Sequence, residues 1–296
     1  LAIWLVGVFA IAHKPATDMP NPFDTAFWSD HLRGGFNTPV HIVALRAGVS
    51  VFGGLRTKID FDLFERRPYA FGILKAADIA KQIGVRSITA VEFGVASGVG
   101  LMSMSRIASA VSAETGIEID VLGFDSAIGM PAAIDYRDHP EYYFQGDFAP
   151  PDFRALQDRL PKNCRLVIGD VRQTVPDFVK NFSGTLGFVS VDVDYYSSAV
   201  GCLQMLTGPS DRYLPAVPMF FDDVLLDFHN AWSGERLAIS EFNDVHALRK
   251  IAPFTALRNK RIIKSASWIE QMYCLHVLDH VARSPANNAP AVPRSM

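Results

Sequence analysis

The stretch VEFGVASGVG, residues 91–100, decides the fold of this 296-residue chain. It completes an apolar run, SITAVEFGV, and leads into a segment with apolar residues at helical spacing through about residue 113, so it ends a strand and opens a helix. Gly94, Gly98 and Gly100 at such a junction allow tight turning and close backbone approach. The free N–H groups of the helix start favour a carboxylate or phosphate on a ligand. The run does not satisfy G-x-G-x-x-G, because Gly98-Val99-Gly100-Leu101-Met102-Ser103 ends in serine. Read alone, glycines that serve only helix–strand packing stay open as an alternative.

Working outward, short β-like runs alternate with helical segments: DVLGFD, CRLVIGD, GFVSVDVD and PMFFDD follow the glycine run in turn. Such alternation implies an α/β fold, a doubly wound and mostly parallel sheet with helices on both faces. Gly94 to Asp125 and Asp192 to Asp222 are each about one strand–helix–strand unit of ~30 residues. The interval from Asp125 to Asp170 is longer, and PAAIDYRDHPEYYFQGDFAPP, rich in proline and aromatics, is expected there as a loop over the site. Upstream, PYAFGILKAADIAKQIG reads as a helix with proline at its start and Gly84 at its end. Downstream, SGERLAISEFNDVHALRKI reads as a helix, and RIIKSASW with QMYCLHVLDH as two strands of a hairpin.

These signals divide the chain into an irregular or helical N-terminal extension, residues 1–67, a domain at 68–281, and a Pro- and Ala-rich tail at 282–296 expected to be disordered. The opening LAIWLVGVFAIA is apolar for twelve residues, short of the ~20 that a spanning helix needs, and is read as a buried N-terminal helix or strand, with a remnant of a signal or anchor sequence as the alternative. A net charge of −3, with no basic run longer than RNKRIIK at 258–264, argues against nucleic acid as a partner. Three cysteines, widely spaced and without a CxxC pair, suit a reducing cytosol and no zinc finger. The localisation expected is cytoplasmic.

Six acids fall at the C-terminal ends of the expected strands: Glu92, Asp125, Asp170, Asp192, Asp222 and Asp223. In open parallel sheets that edge is where ligands bind. A strand-end aspartate taken singly is often a helix cap or turn residue. In FVSVDVDYYSS, residues 188–198, Asp192 and Asp194 would share one face of the strand if it continues that far. Should it lie parallel to the FFDD strand, ~4.8 Å away, four carboxylates converge, and a divalent cation resolves their repulsion. Oxygen-only donors favour Mg²⁺ first, with Mn²⁺ or Ca²⁺ next. Caps and salt-bridge partners are the alternative.

The succession E-x-G-x-x-S-G-x-G, GFDS and IGDV resembles the cofactor site of class I S-adenosylmethionine-dependent methyltransferases, over about residues 68–281. The resemblance implies a seven-stranded Rossmann-like sheet ending in an antiparallel hairpin. It also implies that Gly94, Ser97, Gly98 and Gly100 line the methionine and ribose portions, with Glu92 supporting the loop. Asp125 and Ser126 would meet the ribose, and Asp170 with Val171 would lie beside the adenine. VDVDYYSSA, FFDDV and GERLAISEF resemble the macrocin and related sugar O-methyltransferase family. That likeness implies Asp192, Asp222 and Asp223 as metal ligands and Asp194 as a candidate base. The chain departs from the family at DSAIGMP, where an aromatic and an acid are usual.

The expected chemistry is methyl transfer from S-adenosyl-L-methionine to a hydroxyl of a small molecule, a sugar or glycosylated metabolite among the candidates. Asp194 or His229 would receive the proton. Tyr195, Tyr196, Tyr142, Tyr143 and Phe144 are candidates for an acceptor pocket. Two other readings remain: a DxD metal-dependent glycosyltransferase, which leaves VEFGVASGVG unexplained, and a non-catalytic cofactor-binding module. No membrane span or nucleic-acid partner is expected, and a homo-oligomer stays open.

Overall fold

The computed structural model describes residues 40–150, 152–226 and 229–284. The apolar opening, most of the N-terminal extension and residues 285–296 lie outside the described residues. The order of elements is α1 (Val40–Phe52), α2 (Leu55–Asp60), α3 (Arg67–Ile83), β1 (Ser87–Phe93), α4 (Val99–Thr115) and β2 (Glu118–Asp125). Then come α5 (Phe153–Asp158), β3 (Cys164–Ile168), α6 (Val171–Asn181), β4 (Leu186–Val191), α7 (Tyr196–Leu203) and β5 (Ala216–Phe221). The chain continues through α8 (Gly234–Val245), β6 (Arg249–Pro253), α9 (Leu257–Lys260) and β7 (Met272–Val277).

The strands form one sheet in the order β3-β2-β1-β4-β5-β7-β6. Neighbours from β3 to β5 are parallel, and β7 runs antiparallel to both β5 and β6. With helices on both faces, this is a doubly wound, Rossmann-like α/β fold. Every residue of β1 after Ser87 is buried, as a strand covered on both sides requires. α3 begins with a proline in its first turn and ends on Gly84 at φ +78, the left-handed closure that glycine adopts freely. Its Gly72 rests on the Phe188 ring of β4, and Tyr69 packs edge-on against Phe188 and Phe220. That pairing seats α3 over the centre of the sheet.

Two expectations are corrected. RIIKSASW is not a strand, because β6 is Arg249–Pro253, at the end of the segment read as helix. Arg261 and Trp268 turn inward instead: Arg261 meets the Asp62 carboxylate at 2.6 Å, and Trp268 Nε1 donates to Asp62 at 3.1 Å. This clamp ties the chain before residue 68 to the sheet, and Ile59, Asp62 and Leu63 are buried. At the other end, a 3-10 turn, Val281–Arg283, carries ordered chain past 281. Finally, β4 stops at Val191, and Asp194 takes φ +56, so strand alternation does not bring Asp192 and Asp194 onto one face.

Candidate functional site

The parallel order places the turn from β3 back to β4 across β1, so helices leave β1 and β4 on different sides and a crevice opens between their C-terminal ends. Hydrogen bonds past the strand ends hold that edge in line. Gly94 N–H donates to Phe124 O, Gly169 N–H to Asp125 O, Asp192 N–H to Phe93 O and Asp222 N–H to Val191 O. The six acids therefore stand along one stitched edge, as expected.

The glycine loop is built around Asp125. Its Oδ2 accepts Val95 N–H at 2.9 Å and Ala96 N–H at 2.8 Å, and its Oδ1 accepts Ala127 N–H at 2.7 Å. Those bonds hold Ala96 at φ +44 and Ala127 at φ +63, conformations costly to a residue with a side chain. Gly94, at φ +84, lies so close to β4 that an added Cβ would stand 1.7 Å from Asp192 O. Ser97 is exposed at the loop tip, and Ser126 Oγ donates to Gly129 O at 2.7 Å. Leu156 covers Gly98. Asp170 caps α6 by accepting Arg172 N–H and pairs with the Arg172 guanidinium, which holds it below the usual carboxylate range. Val171 is buried behind it.

Glu92 is buried under α4. Ser190 Oγ donates to Tyr69 Oη at 3.0 Å, and Tyr69 Oη donates to Glu92 Oε1 at 2.7 Å. Burial pushes Glu92 up to about 8, against the lowering effect of the Tyr69 bond. Its Oε2 has no hydrogen-bond partner, an orphaned polar atom beneath the loop that would hold a cofactor.

Around β4 and β5 the acids gather by a route that strand periodicity does not describe. Asp194 N–H donates to Asp223 Oδ2 at 2.9 Å, and Asp223 N–H donates to Glu235 Oε2 at 3.1 Å. Burial, reinforced by neighbouring carboxylates, raises Asp192, Asp223 and Glu235, and burial raises Asp194 and Asp222. Arg66 opposes this on Asp192 and Asp222. The donors are hard oxygens with more negative charge than one guanidinium offsets, which suits a divalent ion. Among the described residues, no three acidic, histidine or cysteine side chains stand in a ready ligand arrangement.

The insertion after β2 folds against this cluster. Asp138, 1% exposed, accepts Ser197 N–H at 2.8 Å and Ser197 Oγ at 3.0 Å, fastening the insertion to α7. Tyr143 faces Asp194, and its hydroxyl lies 3.5 Å from His229 Nε2. His229 stacks on His139 with ring centroids 4.2 Å apart. Burial, with the neighbouring imidazole, lowers His229 to about 4. Of the aromatic candidates, Tyr143 reaches the cluster. Tyr195 is buried, and Tyr196 donates to Glu241 at 2.5 Å, so both serve packing. Tyr142 and Phe144 are exposed. Glu235, Arg66 and His139 lay outside the sequence expectations. An acid directly after the start of α8, in GERLAISEF, was the available signal for Glu235.

A glycine loop after β1, an acid closing β2 and a reversed strand next to the edge of the sheet together define an open Rossmann-like α/β sheet with a ligand crevice at its C-terminal edge. Among solved structures, the chain is similar to the calicheamicin methyltransferase CalS11, with 20% identity over 81% of this chain and 91% of that one, and a TM-score of 0.47. It is similar to an O-methyltransferase from Bacillus cereus in complex with SAH, with 10% identity, 84% and 96% coverage and a TM-score of 0.38. It is also similar to the O-methyltransferase TomG from Streptomyces achromogenes, in complex with SAM, with 10% identity, 84% and 94% coverage and a TM-score of 0.39. No family model and no curated protein matches the chain.

The three cysteines are free and buried. Among the described residues, no helix is long and apolar enough to cross a membrane.

Proposed function

We propose that the chain is an S-adenosylmethionine-dependent O-methyltransferase acting on a hydroxyl of a small molecule. The observation that carries the reading is the acid cluster of Asp192, Asp194, Asp222 and Asp223 beside the glycine loop at the β1–β4 crevice. Gly94, Ser97, Gly98 and Gly100 would hold the methionyl and ribose portions, Asp125 and Ser126 the ribose side, and Asp170 with Val171 the adenine side. When bound, the cofactor supplies an electrophilic methyl group.

Asp192, Asp222 and Asp223 are the proposed ligands of a divalent ion, Mg²⁺ first among hard cations, with Mn²⁺ or Ca²⁺ as substitutes. Such an ion, when bound, lowers the pKa of an oxygen it contacts. This chain's own part is positional. Asp194 is held by its N–H bond to Asp223 and faces Tyr143 of the insertion, which places a carboxylate where an acceptor proton would leave. His229 is engaged between the His139 ring and the Tyr143 hydroxyl, so Asp194 is the preferred base. A polyhydroxylated acceptor such as a sugar suits the polar wall of His139, His229, Tyr143 and Asp194. The free thiols support a cytoplasmic setting.

The test is ligand-dependent melting followed by turnover. S-adenosylhomocysteine should raise the melting temperature while nucleotide diphosphates leave it unchanged, and a hydroxyl library with Mg²⁺ should yield a methylated product. A shift with nucleotide diphosphates alone would favour the DxD glycosyltransferase. Binding of the nucleoside thioether without turnover on any acceptor would favour a non-catalytic module.

A further inference from the structure

Arg66 sits at the start of α3, on the same side of the sheet as the end of β1, and its guanidinium lies 5.6 Å from the Tyr69 ring centroid. Tyr69 in turn donates to Glu92, so the ring fixes Arg66 beside the strand end that opens the glycine loop. Glu92, Asp192 and Asp222, from the ends of β1, β4 and β5, are its electrostatic neighbours. Yet among the described residues the Arg66 side chain makes no ion pair within 4.0 Å and no hydrogen bond. A half-buried guanidinium with three carboxylates as electrostatic neighbours and no side-chain bond to any of them keeps its donors available to a ligand. Glu92 Oε2, also without a partner, lies at the same end.

We propose that Arg66 binds the α-carboxylate of the methionyl arm of the cofactor. The inference rests on the cofactor reading above. Charge complementarity selects the group: S-adenosylmethionine carries a positive ammonium and a positive sulfonium, which an acid-rich crevice attracts, and a single negative carboxylate, which it repels. The carboxylate therefore needs a cation, and a planar guanidinium matches two carboxylate oxygens side by side. Arg66 thereby orients the arm, pairing its carboxylate with the one cation among the acids and leaving the ammonium to the carboxylates around it.

Calorimetry on the full chain separates this role from general support of the fold. The probes are S-adenosylhomocysteine and S-adenosyl-3-thiopropylamine, which differ only in the carboxylate. Wild type should bind the first at least ~10-fold more tightly. Arg66→Met keeps an apolar stem on Tyr69 and should lower affinity for S-adenosylhomocysteine to that of the decarboxylated probe, whose own affinity stays unchanged. Arg66→Lys should retain part of the preference, and melting curves check that both variants are folded. Equal affinity of wild type for the two probes, or an equal loss for both in Arg66→Met, overturns the assignment. Wild type that binds neither probe overturns the cofactor reading itself, and this proposal with it.

Discussion

The main-chain N–H of Asp194 donates to the Asp223 carboxylate at 2.9 Å, which joins the turn after β4 to the turn after β5. Asp194 reaches that position through a left-handed backbone, φ +56. The bond makes the acid cluster one unit, because Asp223 is itself anchored through its own N–H to Glu235. A change at either turn is transmitted to the other.

Asp222→Ala and Asp223→Ala should each reduce Mg²⁺-dependent turnover by ~100-fold or more, while affinity for S-adenosylhomocysteine stays within a few-fold of wild type. Steady-state kinetics across a Mg²⁺ titration, with calorimetry alongside, checks both halves. Full activity in both variants would refute the metal assignment.

Glu92→Gln should flatten the dependence of stability on pH. Glu92 keeps its proton in the folded chain up to about 8, whereas an unfolded glutamate loses it near 4.5. Between those values folding takes up a proton, so this group makes stability fall as pH rises, by at most about 1.4 kcal/mol per pH unit, and adds no further slope above 8. Glutamine still accepts from Tyr69 but does not ionise. Urea unfolding of both proteins at pH 5, 6.5 and 8 should show a difference that grows in favour of the variant; a constant difference would contradict the burial argument.

Gly94→Ala should cost ~3 kcal/mol or more, since its Cβ would stand 1.7 Å from Asp192 O at a residue with φ +84. Gly84→Ala is the internal control. Its φ is +78 but nothing lies within 4 Å of the added Cβ, so only the conformational cost of ~1 kcal/mol applies. Chemical denaturation of the pair separates collision from backbone strain.

Asp62→Ala should destabilise by ~3 kcal/mol, because it takes from Arg261, 3% exposed on its side chain, its buried carboxylate partner and leaves only the exposed Asp60 carboxylate at 3.3 Å. Trp268 Nε1 loses its acceptor in the same step. A variant as stable as wild type would contradict the clamp.

The sheet was legible in the chain because buried parallel strands and amphipathic helices impose different periods on apolar residues, and the alternation of the two implies parallel pairing. The strand-end acids were legible for a related reason: parallel strands put all their C-termini on one edge, so position along each strand predicts position in space. β6 was not legible. Arg249–Pro253 and RIIKSASW are comparable short runs, and pairing with β7 together with the Asp62 clamp separates them.

The sequence by itself determined the alternation, the glycine loop and the row of acids, since each depends on neighbours a few residues away. Tertiary structure alone decided that Asp194 turns to Asp223, that Arg66 lies by the Tyr69 ring, that Tyr143 meets His229, and that Glu235 holds Asp223. Those contacts join elements far apart in the chain through loop and helix-start geometry, and no local period encodes which distant side chain a turn will meet.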